Sequence, residues 1–152
     1  MKFALICIVF IAITGIAILN MSYYRSRLRV ITDLIDLFRQ YCNDLAFCKS
    51  TLDEVINRKI STYSKSTQIL LKHYNDVLQY PSICNSADKT AIYSIFDGVG
   101  LGDVESEVGY VNHAITTLEN MQGRASHDLG VKGILRSKLI FIFGIMLIII
   151  LL

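Results

Sequence analysis

The chain has no tryptophan, one proline (Pro81), and no charged side chain in either of the two long apolar runs at its ends. Each absence excludes something. With a single proline, nothing interrupts long helices except at one place. No convincing alternation of apolar and polar residues is present, so a sheet is not expected. The four cysteines show no C-x-x-C pairing, which argues against a zinc site or a redox pair and leaves free thiols as the plain reading. A net charge of +2, with no basic run interleaved with aromatics, gives no reason to expect nucleic acid. There is no G-x-S-x-G and no cysteine–histidine motif. His73, His113 and the adjacent His127–Asp128 lack metal or catalytic spacing, and neighbouring helical residues do not face each other. Glu105, Glu107 and Glu119 read as a solvated face. No catalytic, cofactor-binding or metal-binding residue is expected.

Hydrocarbon is what the chain has in plenty. Hydrophobic residues make up 53% and mean hydropathy is +0.46. Phe3 to Leu19 is apolar but for Thr14, and Leu139 to Leu152 carries no polar side chain. At about 1.5 Å per residue, a bilayer core of roughly 30 Å needs about 20 helical residues. Residues 1–21 supply that length. The tail, 139–152, covers about 21 Å and spans only if Ile134 and Leu135 also enter and Arg136 and Lys138 snorkel to the headgroups. A tail that dips in without crossing is the alternative.

Arg25, Arg27 and Arg29 follow the first run, and Arg124, Lys132, Arg136 and Lys138 precede the second. Positive charge on both inner flanks places residues 22–138 in the cytoplasm and both termini across the membrane. A cleaved signal peptide is the rival, but Gly15-Ile16-Ala17 makes a poor cleavage site.

The middle reads as helices. Leu28, Ile31, Leu34, Ile35, Phe38, Tyr41, Cys42 and Leu45 recur at steps of three and four, predicting a helix from about Ser26 to Phe47 that continues from the first apolar run. Thr51 and Glu54 form a capping box for a second helix whose buried edge is Leu52, Val55, Ile56 and Ile60. A third helix is expected over about Thr62–Gln79, gathering Ile69, Leu70, Tyr74, Val77 and Leu78. A loop follows over Pro81–Ser86, and then a fourth helix over about Ala87–Gly98. Gly98, Gly100 and Gly102 read as a tight interhelical turn. A phosphate loop would follow a strand, and Asp103 sits badly for an anion. After Asp103, a plausible N-cap, the positions Val104, Val108, Val111, Ile115, Leu118, Gln122, Ala125 and Leu129 make a heptad seam. Its partner is the first helix of the same chain, antiparallel; a coiled coil with a second copy, giving self-association, is the rival. The expected fold is therefore all-α, an antiparallel helical bundle built on a long hairpin and flanked by transmembrane helices.

The ordered motifs resemble the stage III sporulation protein AB family. Asp44-Leu45-x-Phe47, followed by Ser50-Thr51-Leu52-x-Glu54, is similar to that family's acidic–aliphatic–x–aromatic segment and T-P-L-x-E turn. Val99-Gly100-x-Gly102-Asp103-x-Glu105-x-Glu107 resembles its L-G-x-S-D-x-E-x-Q turn, and Leu139-x-Phe141-x-x-Gly144 its C-terminal segment. Thr51, Val99, Gly102 and Glu107 depart from the pattern. The resemblance implies a non-enzymatic platform in the mother-cell membrane around the forespore. Its cytoplasmic domain would be similar to that of type II secretion and type IV pilus platform proteins. Its partners would be membrane lipids, a cytoplasmic ATPase of stage III AA type from the same operon, and other channel membrane proteins. The exposed side of the short helices, including Asp53, Arg58, Lys59 and Lys65, is the candidate partner-binding face. The alternative is a membrane-bound helical signalling or oligomerising protein with no secretion role.

Overall fold

The structure is a computed structural model. It describes the backbone of residues 2–47 and 50–151 and the side chains of residues 10–47, 50–146 and 149. Six α-helices follow one another among these residues: α1 (Lys2–Phe47), α2 (Leu52–Lys59), α3 (Lys65–Lys72), α4 (Ser86–Asp97), α5 (Val104–Asp128) and α6 (Leu135–Leu151). No strand occurs among the described residues. The fold is all-helical, as the missing β-pattern predicts. Packing divides the chain into two compact units, Arg27–Gly123 and Met1–Ser26 with Arg124–Leu152.

In the Arg27–Gly123 unit the core forms on α1. Val30, Ile31, Leu34, Leu37 and Phe38 are fully buried. The buried surface is wider than one helical stripe because Val30 and Leu37 join the expected face. Phe38 meets Phe96 of α4, ring centroids 5.3 Å apart. Polar bonds fix the α1–α5 pairing as antiparallel: Gln122 donates to Thr32 (2.9 Å), Arg39 to Glu119 (2.6 Å) and Tyr41 to Glu107 (3.3 Å). The partner of the α5 seam is thus α1 of the same chain.

The seam itself is corrected. Its buried positions in this unit are Glu107, Val111, Ala114, Leu118 and Met121. Val111 and Leu118 belong to both patterns, but Val104 is exposed, and Val108 and Ile115 are half-buried. Glu107, Ala114 and Met121 take the positions expected of Val108, Ile115 and Gln122, so the stripe lies on the other side of the Val111–Leu118 line. Small Ala114 admits close approach, flexible Met121 fills what is left, and Glu107 is satisfied by hydrogen bonds.

The short helices follow their caps. Thr51 accepts from the Glu54 amide (3.4 Å), while Glu54 accepts from the Thr51 amide (3.1 Å), completing the capping box. The third helix is shorter than expected. It starts after Ser64, whose side chain caps the Thr67 amide, and ends at Lys72. Asp76 accepts from the Leu78 amide (3.0 Å) and from Gln79 (2.9 Å), which draws the backbone into a separate 3₁₀ turn, Val77–Gln79. Short polar side chains compete with a helix in this way. Ile69, within α3, and Leu78 are exposed, while Leu71 is buried.

Arg27 is buried too. Its Nε and Nη2 donate to Asp88 Oδ2 and Oδ1 at 2.6 and 3.1 Å. It is therefore not a free flank charge, as the sequence suggested; the fork-shaped guanidinium ties α1 to the first turn of α4.

In the terminal unit, α1 and α6 also run antiparallel. Phe10 and Phe141 meet edge-on at 6.3 Å, Ser137 donates to the Ala17 carbonyl (3.2 Å), and Asn20 donates to Ser137 (3.4 Å). A Cβ on Gly144 would lie 2.7 Å from Ile13 Cγ2, so glycine is what lets the helices approach there. Between α5 and α6 comes a π-helical turn, Leu129–Ile134, which the sequence pattern did not announce. Lys132 pairs with Asp128 across it at 2.7 Å. Gly133 is buried, and a Cβ there would lie 3.3 Å from both Leu129 and Tyr24.

Among the described residues, no helix is long and apolar enough to cross a membrane. The side chains of residues 3–9 in the first apolar run, and of 147, 148 and 150–152 in the second, lie outside the described residues.

Candidate functional site

A concavity in the Arg27–Gly123 unit opens beside the glycine turn. It has a volume of about 510 Å³, inside the roughly 300–1,000 Å³ usual for ligand pockets. Four local decisions of the sequence build it. The α1 end contributes Tyr41 and Leu45. The capped start of α2 contributes Thr51 and Asp53, the segment after α3 contributes Tyr74 and Asn75, and the end of α4 contributes Phe96 and Asp97. Gly100, Gly102, Val104 and Glu107 close the last side.

The turn is tight for two reasons. Gly100 has φ +84°, a left-handed conformation that glycine adopts without cost. Gly98 has the Tyr110 ring where a Cβ would be. Tyr110 in turn donates to the Ser94 carbonyl (2.9 Å). Asp103 acts as the cap before α5: hydrogen bonds from Ser106 hold its carboxyl below the usual carboxylate range.

Glu107 is the residue that the sequence misplaced. It is 5% exposed, not on a solvated face. Its Oε1 accepts from the Gly100 amide (2.9 Å) and from Tyr41 Oη (3.3 Å). Burial, and then the Glu107 charge, pushes the Tyr41 phenol up to about 12, so it stays a donor at neutral pH. The spacing offers a signal that could have found this pairing: a left-handed glycine amide seven residues before a carboxylate in the next first turn. Tyr74 donates to Asp53 (2.8 Å), and burial raises its phenol as well.

Three carboxylates, Asp53, Asp97 and Glu107, thus line one cavity with three aromatic rings, and no cationic side chain among the described residues lines it. A phosphate would meet like charge from these carboxylates. Among the described residues no three His, Cys, Asp or Glu side chains are grouped to hold a metal.

The chain matches no family model, no curated protein and no solved structure.

Of the four partner-face candidates, Asp53 is in the cavity wall. Arg58 pairs with Asp44 of α1 at 2.9 Å, Lys59 is half-buried, and Lys65 is exposed at the start of α3. The structure does not bring those three into the cavity. His73, His113 and His127 are exposed. Cys42 and Cys84 are free thiols, and burial pushes Cys84 up to about 11. The side chains of Cys7 and Cys48 lie outside the described residues.

Proposed function

We propose that this chain is a non-enzymatic, membrane-anchored adaptor. It docks a cytoplasmic ATPase of stage III AA type onto a secretion-like channel in the mother-cell-side membrane around the forespore. The reading joins the family resemblance to one structural observation. The apolar ends pair with each other, Phe10 on Phe141 and Ala17 on Ser137. A segment held at two adjacent points cannot tumble independently of its anchor. It offers a motor a fixed face, which a single flexible tether would not.

The experiment is deletion of Leu139–Leu152 in the full chain. Loss of ATPase recruitment and of sporulation, with the truncated chain still present at normal levels, is the expected result. Intact recruitment would show that the second anchor is not needed for docking. Reporters fused within residues 22–138 test the location; activity restricted to the outside of the cell would sink the cytoplasmic assignment.

A further inference from the structure

The terminal unit carries six Lys or Arg side chains and one acidic side chain, Asp128, which pairs with Lys132. Arg136 and Lys138 are in no ion pair among the described residues. They stand on either side of Ser137, whose hydroxyl donates to the Ala17 carbonyl (3.2 Å) and so marks the line along which α6 meets α1. With 3.6 residues per turn, neighbours on a helix point about 100° apart. The two cations therefore flank the contact line on opposite sides.

From Lys138 a groove of about 450 Å³ runs between the two helices. Ala17 and Met21 of α1 form one wall, Phe141 and Ile142 of α6 the other, and Ile134 lies at its head. Apart from Lys138 and from Ser137, whose proton is already given to Ala17, the lining side chains are hydrocarbon. Ile134 to Ile142 covers about 12 Å of helix, close to half of a hydrocarbon core of roughly 30 Å. Ile142 is 61% exposed, so the described residues leave that wall uncovered. Arg136 also stands over a groove, but there Ile13 already fills the notch at Gly144.

A hydrocarbon groove with one unpaired cation at its head is complementary to a molecule with an anionic head and a hydrocarbon tail. Long helical side chains lean toward the N-terminus of their helix, so the Lys138 ammonium reaches back toward the start of α6, away from Phe141 and Ile142. Head and tail positions are thus separated in the order that a lipid needs. A zwitterionic head would bring a cation of its own to a unit already rich in basic residues. A helix of another protein would fill the same hydrocarbon and leave Lys138 unpaired. We propose that this groove seats one acyl chain of an anionic phospholipid, with its phosphate held by Lys138. Such a lipid presupposes the membrane anchoring proposed above, on which this reading rests.

The test uses the full chain in mild detergent micelles. Dioleoylphosphatidylglycerol and dioleoylphosphatidylcholine are added in equal amounts, and native mass spectrometry counts what wild type, K138R, K138Q and R136Q retain, with helicity recorded for each. Wild type and K138R should keep phosphatidylglycerol in preference. K138Q should keep at least about fivefold less of it, and R136Q, which loses the same charge, should stay within about twofold of wild type. Equal losses in K138Q and R136Q, or equal retention of the two lipids by wild type, overturn the site. Competition on wild type needs no variant: lysophosphatidylglycerol should displace the bound lipid and inorganic phosphate should not. Equal displacement by phosphate overturns the groove, and so does a lipid-free dimer with a second copy in its place. Flotation with phosphatidylcholine vesicles tests the anchoring separately. A chain that does not float loses its anchors, and the micelle counts still decide the groove; a chain that floats but retains both lipids equally keeps its anchors and loses the lipid site.

Discussion

Replacing Asp88 by asparagine should unfold this protein far more readily than its size of change suggests. The substitution keeps the shape and the hydrogen bond that the Asp88 backbone N–H donates to Asn85 Oδ1 (2.7 Å). What it removes is the charge that faces Arg27 across 2.6 and 3.1 Å, where both side chains are under a tenth exposed. Removing one partner of a buried ion pair typically costs about 3–5 kcal/mol. For a chain of this length each kcal/mol moves the melting temperature by roughly 2–4 °C, so D88N should melt about 6–20 °C lower. Replacing both partners by apolar residues, R27M/D88L, should recover most of that loss, since a buried pair exchanged for hydrocarbon is often close to neutral. Circular dichroism melts of the full chain in one detergent check both. A D88N shift of under about 3 °C, or a double variant as unstable as the single, would refute the claim that Arg27 is a buried structural cation and return it to the free basic flank.

Other expectations are narrower. Thr51→Ala should cost about 0.5–2 kcal/mol, because it deletes the hydroxyl that accepts from the Glu54 amide, while the Glu54 carboxylate keeps the backbone N–H of residue 51; thermal melts measure it. Gly100→Ala should cost about 1–2 kcal/mol from backbone strain alone, since nothing lies within 4 Å of the added Cβ; a crystal structure or amide shifts should show the turn otherwise intact. Cys84 should resist iodoacetamide at pH 8 in the folded chain while half-buried Cys42 reacts. With its pKa near 11, only about one Cys84 in a thousand is thiolate at that pH, which peptide mapping reads out. The Tyr41 phenol is raised in the fold, so its contribution to stability is complete below pH 10 and is lost as pH rises toward 12; Y41F should flatten that alkaline decline in denaturation curves.

The helices were legible wherever a local signal was decisive. Thr51 and Glu54 mark the start of α2 because both capping bonds lie within four residues. Gly98 and Gly100 mark the turn because its geometry needs them. The α1–α5 pairing was legible because both helices carry apolar periodicity and few other partners exist. Which flank of the Val111–Leu118 line faces inward was not legible, since Val108 and Ile115 are the more apolar choice. Glu107 wins its place through a glycine amide and a tyrosine brought together only by the fold. The third helix failed for a similar reason: apolar spacing ran on to Leu78, but Asp76 had a closer use for the backbone. The cavity is assembled from segments as far apart as Tyr41 and Glu107, so of its acidic residues only Asp53 is on the partner face that the sequence suggests.

The π turn between α5 and α6 has a consequence for where charge can go. Counting seven from buried Ala125 leads to Lys132. A regular helix would point that ammonium inward, next to the paired apolar ends. A π turn takes in one residue more than an α turn, and the inward position passes to Gly133, against Tyr24. Lys132 is displaced outward, where it is 61% exposed and meets Asp128. The wide turn thus works as a phase shifter. It lets the chain crowd basic residues just ahead of a hydrocarbon helix while glycine, not lysine, takes the place beside Tyr24.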